Sequence, residues 1–407
     1  MAKRIKIAIC VLAIFFSAVG VSSGAAEKGP IKIGVLLPKT GLLAEHGRQA
    51  ELGCRLAIEE LNAKGGVLGR KLEAVYRDDQ MKAEVAGRET NALIFDDKVD
   101  ALLANLAANT ATAASAVARE QKVPIIVYTT AASLTSRDGH RYVFGGCVNN
   151  VLTSKGCALT LQGKGFRTAW TGAYDYTFGH QYIESIKSYM AKKLPEIKII
   201  GESWFPLNET DFTGYISQMM KAKPDVAILS VWGTGIASFV RQGKPVGFFD
   251  KLKVALDCNP ENLRPIGLDF PKGILGFAFY DLTIDNPNNK VFVKNFKSKY
   301  GEYPSYSSAE FYTGVLSLAK AMELAKTTEK EAVVDALKKI KVSCPFGESY
   351  YRPCDNQGSW PVVIGETSVM PGEKWLYLGT NPKTLPAEEL WASCEEVMAE
   401  RKAAQKK

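Results

Sequence analysis

Short apolar segments alternate with longer amphipathic segments along most of this 407-residue chain, and this alternation constrains the fold more than any other feature. The first apolar segment, 31–37, is followed by Pro38 and is typical of a buried parallel strand. In the next segment, Ala50, Cys54 and Ala57 recur at helical spacing. Strands and helices follow one another in this way up to residue 128, which predicts a doubly wound α/β unit.

The alternation restarts after residue 146 and predicts a second α/β unit that extends to about residue 280. Amphipathic helical stretches and then short strand-like runs follow, and we interpret residues 381–407 as a charged C-terminal helical tail. The chain is 46% hydrophobic, which supplies ample core for two units. Two similar α/β units in one chain predict two lobes with a cleft between them.

The first 26 residues have the layout of a secretory signal peptide. Lys3, Arg4 and Lys6 precede an apolar run at 7–21, and small residues follow it up to Ala26. This run is shorter than the roughly 20 residues that a membrane-spanning helix needs. We therefore expect cleavage near Ala26 and export of the mature chain, with an uncleaved membrane anchor as the alternative.

Composition argues against metal chemistry and against nucleic-acid binding. The chain contains three histidines, and both metal sites and acid–base catalysis depend heavily on imidazole. Loss of the signal peptide lowers the formal net charge from +8 to +5, and the remaining charge is dispersed. The sequence contains no nucleophile elbow, phosphate-binding loop or zinc-protease motif. We therefore expect no enzymatic activity, no cofactor, no metal site and no nucleic-acid partner.

Seven of the eight cysteines lie after the signal peptide, an odd number for an oxidising compartment. Two pairs, Cys147 with Cys157 and Cys344 with Cys354, each enclose nine residues and are candidate local disulfides. A disulfide across the second pair would stabilise the fold by roughly 2–3 kcal/mol. The alternative is that these four residues are reduced cysteines of the core.

Residues 31–72 read IKIGVLLPKTGLLAEHGRQAELGCRLAIEELNAKGGVLGRKL. This segment resembles the opening of the type I periplasmic solute-binding proteins of ABC importers, in the branched-chain amino acid group. The P-x-T-G run after the first strand and the A-I-E-E-x-N-x-x-G-G-V-x-G-R-K-L run carry the likeness together. Residues 352–357, RPCDNQ, are similar to the R-x-x-D-x-Q motif of many members. The resemblance covers about 31–380, nearly the whole mature chain.

The resemblance implies a periplasmic binding protein type I fold, in which a three-strand hinge joins two discontinuous lobes. Lobe one would comprise 31–145 and 275–342, and lobe two would comprise 146–274 and 343–380. The implied protein is periplasmic and monomeric. It would close on a small amino acid, carboxylate or amide and deliver it to the membrane permease of an ABC importer.

Two loops of lobe one match the positions at which the family holds a ligand carboxylate. They consist of Asn109, Thr110 and Ala111, and of Thr129, Thr130 and Ala131. Hydroxyls and backbone N–H groups at a helix N-terminus form an anion site. Thr110 could instead be only a helix N-cap. His46 stands where the family usually has an aromatic residue that lines the pocket, and an exposed surface position is its alternative.

Lobe two offers aromatic side chains and one acid to the same cleft. Tyr176, Phe178 and Trp232 follow strands at their carboxyl ends, where α/β clefts bind ligands, although each could belong to the core. Amino-acid-binding members of the family place an acid after a lobe-two strand to pair with the ligand's ammonium. Asp257 could serve here, whereas the matching position holds Cys258. If Asp257 points away, the ligand lacks an α-ammonium.

Two other classes of protein are compatible with the sequence. The first is a ligand-sensing protein for amides or aromatic acids that is coupled to signalling rather than to transport, and capture of a kinase in place of a permease would favour it. The second is a secreted α/β enzyme, which needs a nucleophile with its base. Turnover of a bound ligand would reveal such an enzyme.

Overall fold

The computed structural model describes residues 29–41, 43–104 and 107–404. The predicted signal peptide therefore lies outside the described residues. The chain forms two large β-sheets covered by helices, so the predicted α/β class with two doubly wound units is confirmed. Within the described ranges, no helix combines the length and the apolar character needed to cross a membrane.

Five parallel strands form the first sheet. They are β1 (Ile31–Leu37), β2 (Leu72–Asp78), β3 (Ala101–Ala104), β4 (Ile125–Val127) and β5 (Val143–Gly145). The helices α1 (Ala44–Ala63), α2 (Ala83–Phe95) and α3 (Ala108–Glu120) connect the first four. The spatial order is β2-β1-β3-β4-β5, which reverses direction between β1 and β3. In open α/β sheets, ligands bind beside the carboxyl ends of the strands at such a reversal.

The second sheet has seven strands, of which the first five along the chain are parallel, and the last two are added through antiparallel pairings. The parallel strands are β6 (Thr168–Tyr174), β7 (Lys198–Phe205), β8 (Val226–Ser230), β9 (Lys253–Asp257) and β10 (Leu275–Ala278). A small hairpin of β11 (Val342–Cys344) and β12 (Gly347–Ser349) separates them from β13 (Val362–Val369) and β14 (Leu376–Leu385). The spatial order is β14-β13-β10-β9-β8-β6-β7.

Helices cover this second sheet and then return to the first one. Those of the second unit are α4 (Asn150–Leu159), α5 (Thr177–Lys193), α6 (Thr213–Ala222), α7 (Thr234–Gly243), α8 (Phe248–Lys251) and α9 (Pro260–Leu263). The returning helices are α10 (Pro287–Tyr300), α11 (Tyr306–Ala325) and α12 (Lys330–Leu337). Helix α11 packs on α1 so closely that a methyl group on Gly53 would lie 2.1 Å from the carbonyl oxygen of Ser308. A later part of the chain thus completes the first unit.

Two strands extend the second sheet beyond the division that the resemblance implied. Strand β10 pairs with β9 and β13, whereas residue 275 was expected to begin the return to lobe one. The backbone of its buried LGFA sequence forms its strand hydrogen bonds within the second sheet. Residues 381–385 belong to β14 and not to a helical tail. The sequence of these residues resembles that of an exposed segment because β14 is an edge strand, and an edge strand tolerates polar residues and Pro382.

Gln357, the last residue of the R-x-x-D-x-Q motif, joins two of the segments that pass between the sheets. Its Oε1 accepts hydrogen bonds from the Thr135 hydroxyl at 2.8 Å and from the Asn149 amide at 3.1 Å. Its Nε2 donates to the carbonyl oxygen of Cys147 at 2.7 Å. The carboxylate of Asp355 accepts from the Gln357 N–H at 3.1 Å. Since these groups are buried and paired, the motif fixes the geometry of the crossing segments.

The disulfide framework differs from the one considered from sequence. Cys354 pairs with Cys394, 40 residues further on, with a Cα–Cα distance of 6.1 Å. Cys147, Cys157 and Cys344 are buried and free, so both predicted local pairings are wrong and the alternative of reduced core cysteines is correct for these three. The spacing of two cysteines along the chain does not determine the distance between their sulfur atoms. Cys157 lies inside helix α4, whereas Cys147 lies in a crossing segment.

The predicted C-terminal tail docks on the rest of the protein through two short helices. They are α13 (Ala387–Leu390) and α14 (Cys394–Ala404). The guanidinium of Arg401 donates to the carbonyl oxygens of Ser136 at 2.9 Å, Thr135 at 3.2 Å and Cys354 at 3.1 Å. The C-terminal segment is therefore tied both to the first unit and to a crossing segment.

Replacement of Cys394 by serine is expected to lower the melting temperature, because the disulfide closes a 40-residue loop in the unfolded chain. For a loop of that length, the chain-entropy relation gives about 4 kcal/mol. Thermal unfolding followed by circular dichroism measures the change. Cys354→Ser and the reduced wild type should melt at the same temperature as Cys394→Ser. Equal melting temperatures for the oxidised wild type and Cys394→Ser would contradict the pairing.

Candidate functional site

The first predicted loop lies at the start of α3, beside the carboxyl end of β3. Helix α3 has Ala107 as its N-cap, so the alternative in which Thr110 caps the helix is wrong. Thr110 is buried, and its hydroxyl donates to the carbonyl oxygen of Ala107 at 3.1 Å. Ala111 is buried too, whereas Asn109 is exposed and its amide donates to the carbonyl oxygen of Met81 at 3.1 Å. Thr110 and Ala111 thus lie beneath the helix start and Asn109 lies on its rim.

The second predicted loop follows β4, the neighbour of β3 in the sheet. Thr129 is buried, and its hydroxyl accepts a hydrogen bond from the N–H of Ala131 at 3.4 Å. Thr130 and Ala131 are half-buried. The carbonyl oxygen of Thr130 accepts from the N–H of Asn150, the first residue of α4, at 2.8 Å. This loop therefore lies where the first unit meets the second.

His46 lies in the first turn of α1 with 8% of its surface exposed, so its alternative, an exposed position, is wrong. Its ring meets that of Tyr306 edge-on, with the centroids 5.6 Å apart. Burial lowers the pKa of His46, and the nearby carboxylates of Glu261 and Glu45 oppose that effect only in part. The imidazole is therefore neutral at pH 7. Among the described residues, no group forms a hydrogen bond with its Nδ1.

Tyr176, Phe178 and Trp232 form an aromatic cluster beyond the ends of β6 and β8, which are adjacent strands. The ring of Tyr176 lies 5.8 Å from that of Phe178 and 6.3 Å from that of Trp232. Trp232 also packs edge-on against Tyr174 at 5.3 Å. All three members of the cluster are half-buried, so each keeps part of its ring accessible. The structure thus brings together the three aromatic residues predicted for lobe two.

Asp257 and Cys258, the two candidates after β9, point to different environments. Cys258 is fully buried, and a Cβ on Gly276 of the next strand would lie 2.6 Å from its sulfur. Asp257 is half-buried, and its Oδ1 accepts from the backbone N–H of Asn259 at 2.8 Å and from the Asn259 amide at 2.6 Å. Of the two side chains, the carboxylate of Asp257 is the accessible one.

Sequence reasoning missed Glu261, which lies at the contact between the two units. Its Oε1 accepts from the N–H of Ser307 in α11 at 3.4 Å. Its Oε2 has no hydrogen-bond partner within the described part of the chain, and the side chain is buried. One signal could have found it. Pro260 begins a helix directly after a strand end, which places Glu261 in a first turn at the ligand-binding edge of a sheet.

Two residues of α11 were also missed. The ring of Tyr306 lies 5.0 Å from that of Phe279, which follows β10, in addition to its contact with His46. Glu310 lies one turn after Tyr306 and is buried. Its signal in the sequence is an acid among the small and apolar residues of a helix. The neighbours of α11 could not be read from the sequence because the helix returns to α1 across more than 200 residues.

The pH dependence of stability gives a test of the Asp257 environment. Burial raises the pKa of Asp257 to about 7; the charge of Glu261 adds to this, and the hydrogen bonds from Asn259 oppose it. Because this folded-state pKa exceeds the unfolded one, the stabilisation is complete below about pH 4 and is lost as pH rises through 7. The difference between a pKa of 3.8 and one of about 7 corresponds to at most about 4 kcal/mol, and replacement of Asp257 by asparagine should remove that part of the decline.

Melting curves of ligand-free wild type and Asp257→Asn between pH 4 and 8 measure this difference. Burial also raises the pKa of Asp79 and of Asp281 to about 6. Both groups titrate in both proteins, so only the difference between the two pH profiles reports on Asp257. Parallel profiles would show that this carboxyl titrates as it does in the unfolded chain.

Each unit is built on parallel strands, and the carboxyl ends of the strands in the two units meet around buried polar side chains. This arrangement is typical of the two-lobed binding folds. A family profile described as "Periplasmic binding protein" matches residues 30–369. The chain therefore belongs to the periplasmic binding protein family, which confirms the predicted resemblance.

A curated relative, the leucine-, isoleucine-, valine-, threonine- and alanine-binding protein of Pseudomonas aeruginosa, is 24% identical over 335 residues. The match covers 81% of this chain and 87% of that protein. The crystal structure of an amino acid ABC transporter substrate-binding protein from Pseudomonas fluorescens has a TM-score of 0.82 at 22% identity, covering 90% of this chain and 98% of that one.

A solute-binding protein of an ABC transporter from Rhodopseudomonas palustris was solved in complex with 3,4-dihydroxybenzoic acid. It has a TM-score of 0.80 at 22% identity and covers 88% of this chain and 98% of that chain. The likeness to these two structures confirms the periplasmic binding protein type I fold.

Proposed function

We propose that this protein is the exported substrate-binding protein of an ABC importer. It captures a small amino acid or a related carboxylate between its two units and delivers it to a membrane permease. One observation carries the proposal: the two units contact each other through buried polar groups. Glu261 of the second unit contacts Ser307, and His46 lies beside them. Polar groups that converge from two units suit a small polar ligand. We expect binding without turnover and without a cofactor.

The proposed lobes follow the observed sheets. Lobe one would comprise 31–145 and 279–342, and lobe two would comprise 146–278 and 343–385, which keeps β10, β13 and β14 in their sheet. The crossing segments joined by Gln357 would form part of the hinge. Ligand contacts that exist only in the closed arrangement would shift the population of molecules towards closure.

The proposed pose of an amino acid uses opposite charges on the two sides of the cleft. Its carboxylate would lie near Thr110, Thr129 and Thr130, where backbone N–H groups at the start of α3 favour an anion. Its ammonium would face the carboxylates of Asp257 and Glu261. The apolar part of the ligand would contact the aromatic cluster of Tyr176, Phe178 and Trp232. An aromatic acid, such as the one bound to the Rhodopseudomonas palustris protein, would use the first and third of these contacts.

The proposal places the mature protein in the periplasm as a monomer. Residues 1–26 have the basic, apolar and small segments that direct secretion. The Cys354–Cys394 disulfide is compatible with an oxidising compartment. The periplasm is also where a binding protein meets its permease.

A thermal-shift screen of mature protein, unfolded and refolded to remove carried-over ligand, tests the proposal. The panel contains amino acids, short and aromatic carboxylates, urea and amides. A ligand present at 100 times its Kd stabilises the folded state by about 2.7 kcal/mol, so at least one compound should raise the melting temperature by a few degrees. A refolded protein with a native circular dichroism spectrum that responds to no member of the panel would contradict the proposal.

A further inference from the structure

Several buried polar atoms at the junction of the units have no hydrogen-bond partner among the described residues, and three of them can accept a hydrogen bond from a ligand. These three are Nδ1 of His46, Oε2 of Glu261 and Oε2 of Glu310. The three side chains are 8%, 9% and 2% exposed and come from three separate elements, α1, α9 and α11. An unpaired buried carboxylate oxygen is costly, on the order of several kcal/mol. These three acceptors therefore need hydrogen-bond donors, and in the same region the buried Nε of Arg264 and the hydroxyl of Tyr128 also have no partner among the described residues.

Glu310 belongs to α11, the helix whose first turn contacts His46 of α1 and Glu261 of α9. It is one helical turn from Tyr306, and residues at that spacing share a helix face. Burial is the main cause that raises the pKa of Tyr128, which follows β4, and of Cys147, which lies in a crossing segment, and the proximity of Glu310 adds to both. Glu261 reaches the same region from the second unit and raises the pKa of Glu310. Groups from both units thus surround the Glu310 carboxyl.

The described residues supply no cation to this carboxyl. Arg264 lies near Glu261 and forms no ion pair with Glu310. Two of its guanidinium nitrogens donate to the carbonyl oxygens of Tyr303 at 2.7 Å and Pro304 at 2.6 Å, and its Nε has no hydrogen-bond partner among the described residues. Burial, and then the charge of Glu261, raise the pKa of Glu310 well above its usual range. Both effects favour the protonated form of Glu310 in the ligand-free protein.

We propose that Glu310 and Glu261 together receive a positively charged nitrogen group of the ligand, in addition to the ammonium that Asp257 can hold. The ligand class is then a carboxylate with two cationic nitrogens, such as a basic amino acid. This inference rests on the proposed function and narrows its substrate class. On binding, the proton of Glu310 passes to solvent, and the carboxylate left behind accepts hydrogen bonds from the ligand nitrogen. An uncharged analogue would leave both carboxyl groups without donors.

Titration calorimetry with matched ligand pairs tests the inference on the full mature protein. The pairs are lysine with norleucine and arginine with citrulline, which differ chiefly in side-chain charge. We expect wild type to bind the charged member of at least one pair about 100-fold more tightly, because a site built for a polar group rejects analogues that lack it. Heats measured in two buffers of different ionisation enthalpy should reveal the release of about one proton.

Glu310→Gln should lose most of that preference and the proton release. Glu323→Gln, an exposed change on the same helix, should keep both. Equal binding of both members of each pair, a preference retained in Glu310→Gln, or binding of branched-chain or aromatic ligands alone would overturn the inference and leave the proposed function standing. Binding of no compound in the panel would overturn both. Should Glu310→Gln fail to fold, the absence of proton release in wild type would itself refute the inference.

Discussion

Replacing Glu261 by glutamine is expected to weaken ligand binding about 100-fold, or about 2.7 kcal/mol. The side chain is buried at the contact between the two units, and its Oε2 lacks a partner within the described residues. Loss of its charge removes the pairing that the proposed pose gives to the ligand's ammonium. The amide has the size of the carboxylate and can still accept from the Ser307 N–H, so the cleft keeps its shape. Titration calorimetry with the ligand found in the thermal screen measures the effect.

A surface variant serves as the control. Glu184→Gln changes an exposed carboxylate on α5 and should bind as wild type does. The ligand-free Glu261→Gln protein should fold with a native circular dichroism spectrum, because the amide keeps the size of the side chain and its contact with Ser307, although it gives up the attraction to the nearby Arg264. Affinity unchanged from wild type would exclude Glu261 from the site.

Replacing Gly53 by alanine is expected to destabilise the protein by about 3 kcal/mol or more. The added methyl would lie 2.1 Å from the carbonyl oxygen of Ser308 and 2.8 Å from its Cα, and neither backbone atom can rotate away. Helices α1 and α11 must then separate, which would also part His46 from Tyr306 near their N-terminal ends. Intrinsic helix propensity favours alanine over glycine by about 1 kcal/mol, so a loss of stability reports on packing alone.

The matched variant is Gly87→Ala in the middle of α2. A Cβ at this position meets no other atom within 4 Å. It should therefore leave stability unchanged or raise it by about 0.5–1 kcal/mol. Melting temperatures of the two variants measured side by side test the close approach of α1 and α11. A Gly53→Ala protein as stable as Gly87→Ala would contradict that approach.

Much of the fold follows from local pattern. The apolar run at 226–231 predicts a buried strand, and it corresponds to β8 (Val226–Ser230), in which every residue is buried. A short apolar run of this kind is stable only where helices cover both faces of a sheet. Apolar residues recur at helical spacing over 83–95, which predicts a helix with the bounds observed for α2 (Ala83–Phe95).

The features that escaped prediction depend on contacts between distant parts of the chain. Cys354 could not be matched to Cys394 from spacing, since the C-terminal segment must first dock beside the crossing segment. Glu310 is visible in the sequence as an acid in a largely apolar helix, yet its meaning depends on α11 lying against α1 and facing Glu261. The aromatic cluster was predictable because each member follows a strand end of one sheet, and adjacent parallel strands end together.

The central claim is that the two units close around a ligand, and the distance between two spin labels tests it most directly. Glu84 of α2 and Ser217 of α6 are exposed and lie in different proposed lobes. The five free cysteines of the described chain are buried, so nitroxides should attach at Glu84→Cys and Ser217→Cys. Saturation with the ligand from the thermal screen is predicted to shorten and narrow the distance distribution. A distribution that ligand leaves unchanged would contradict the account.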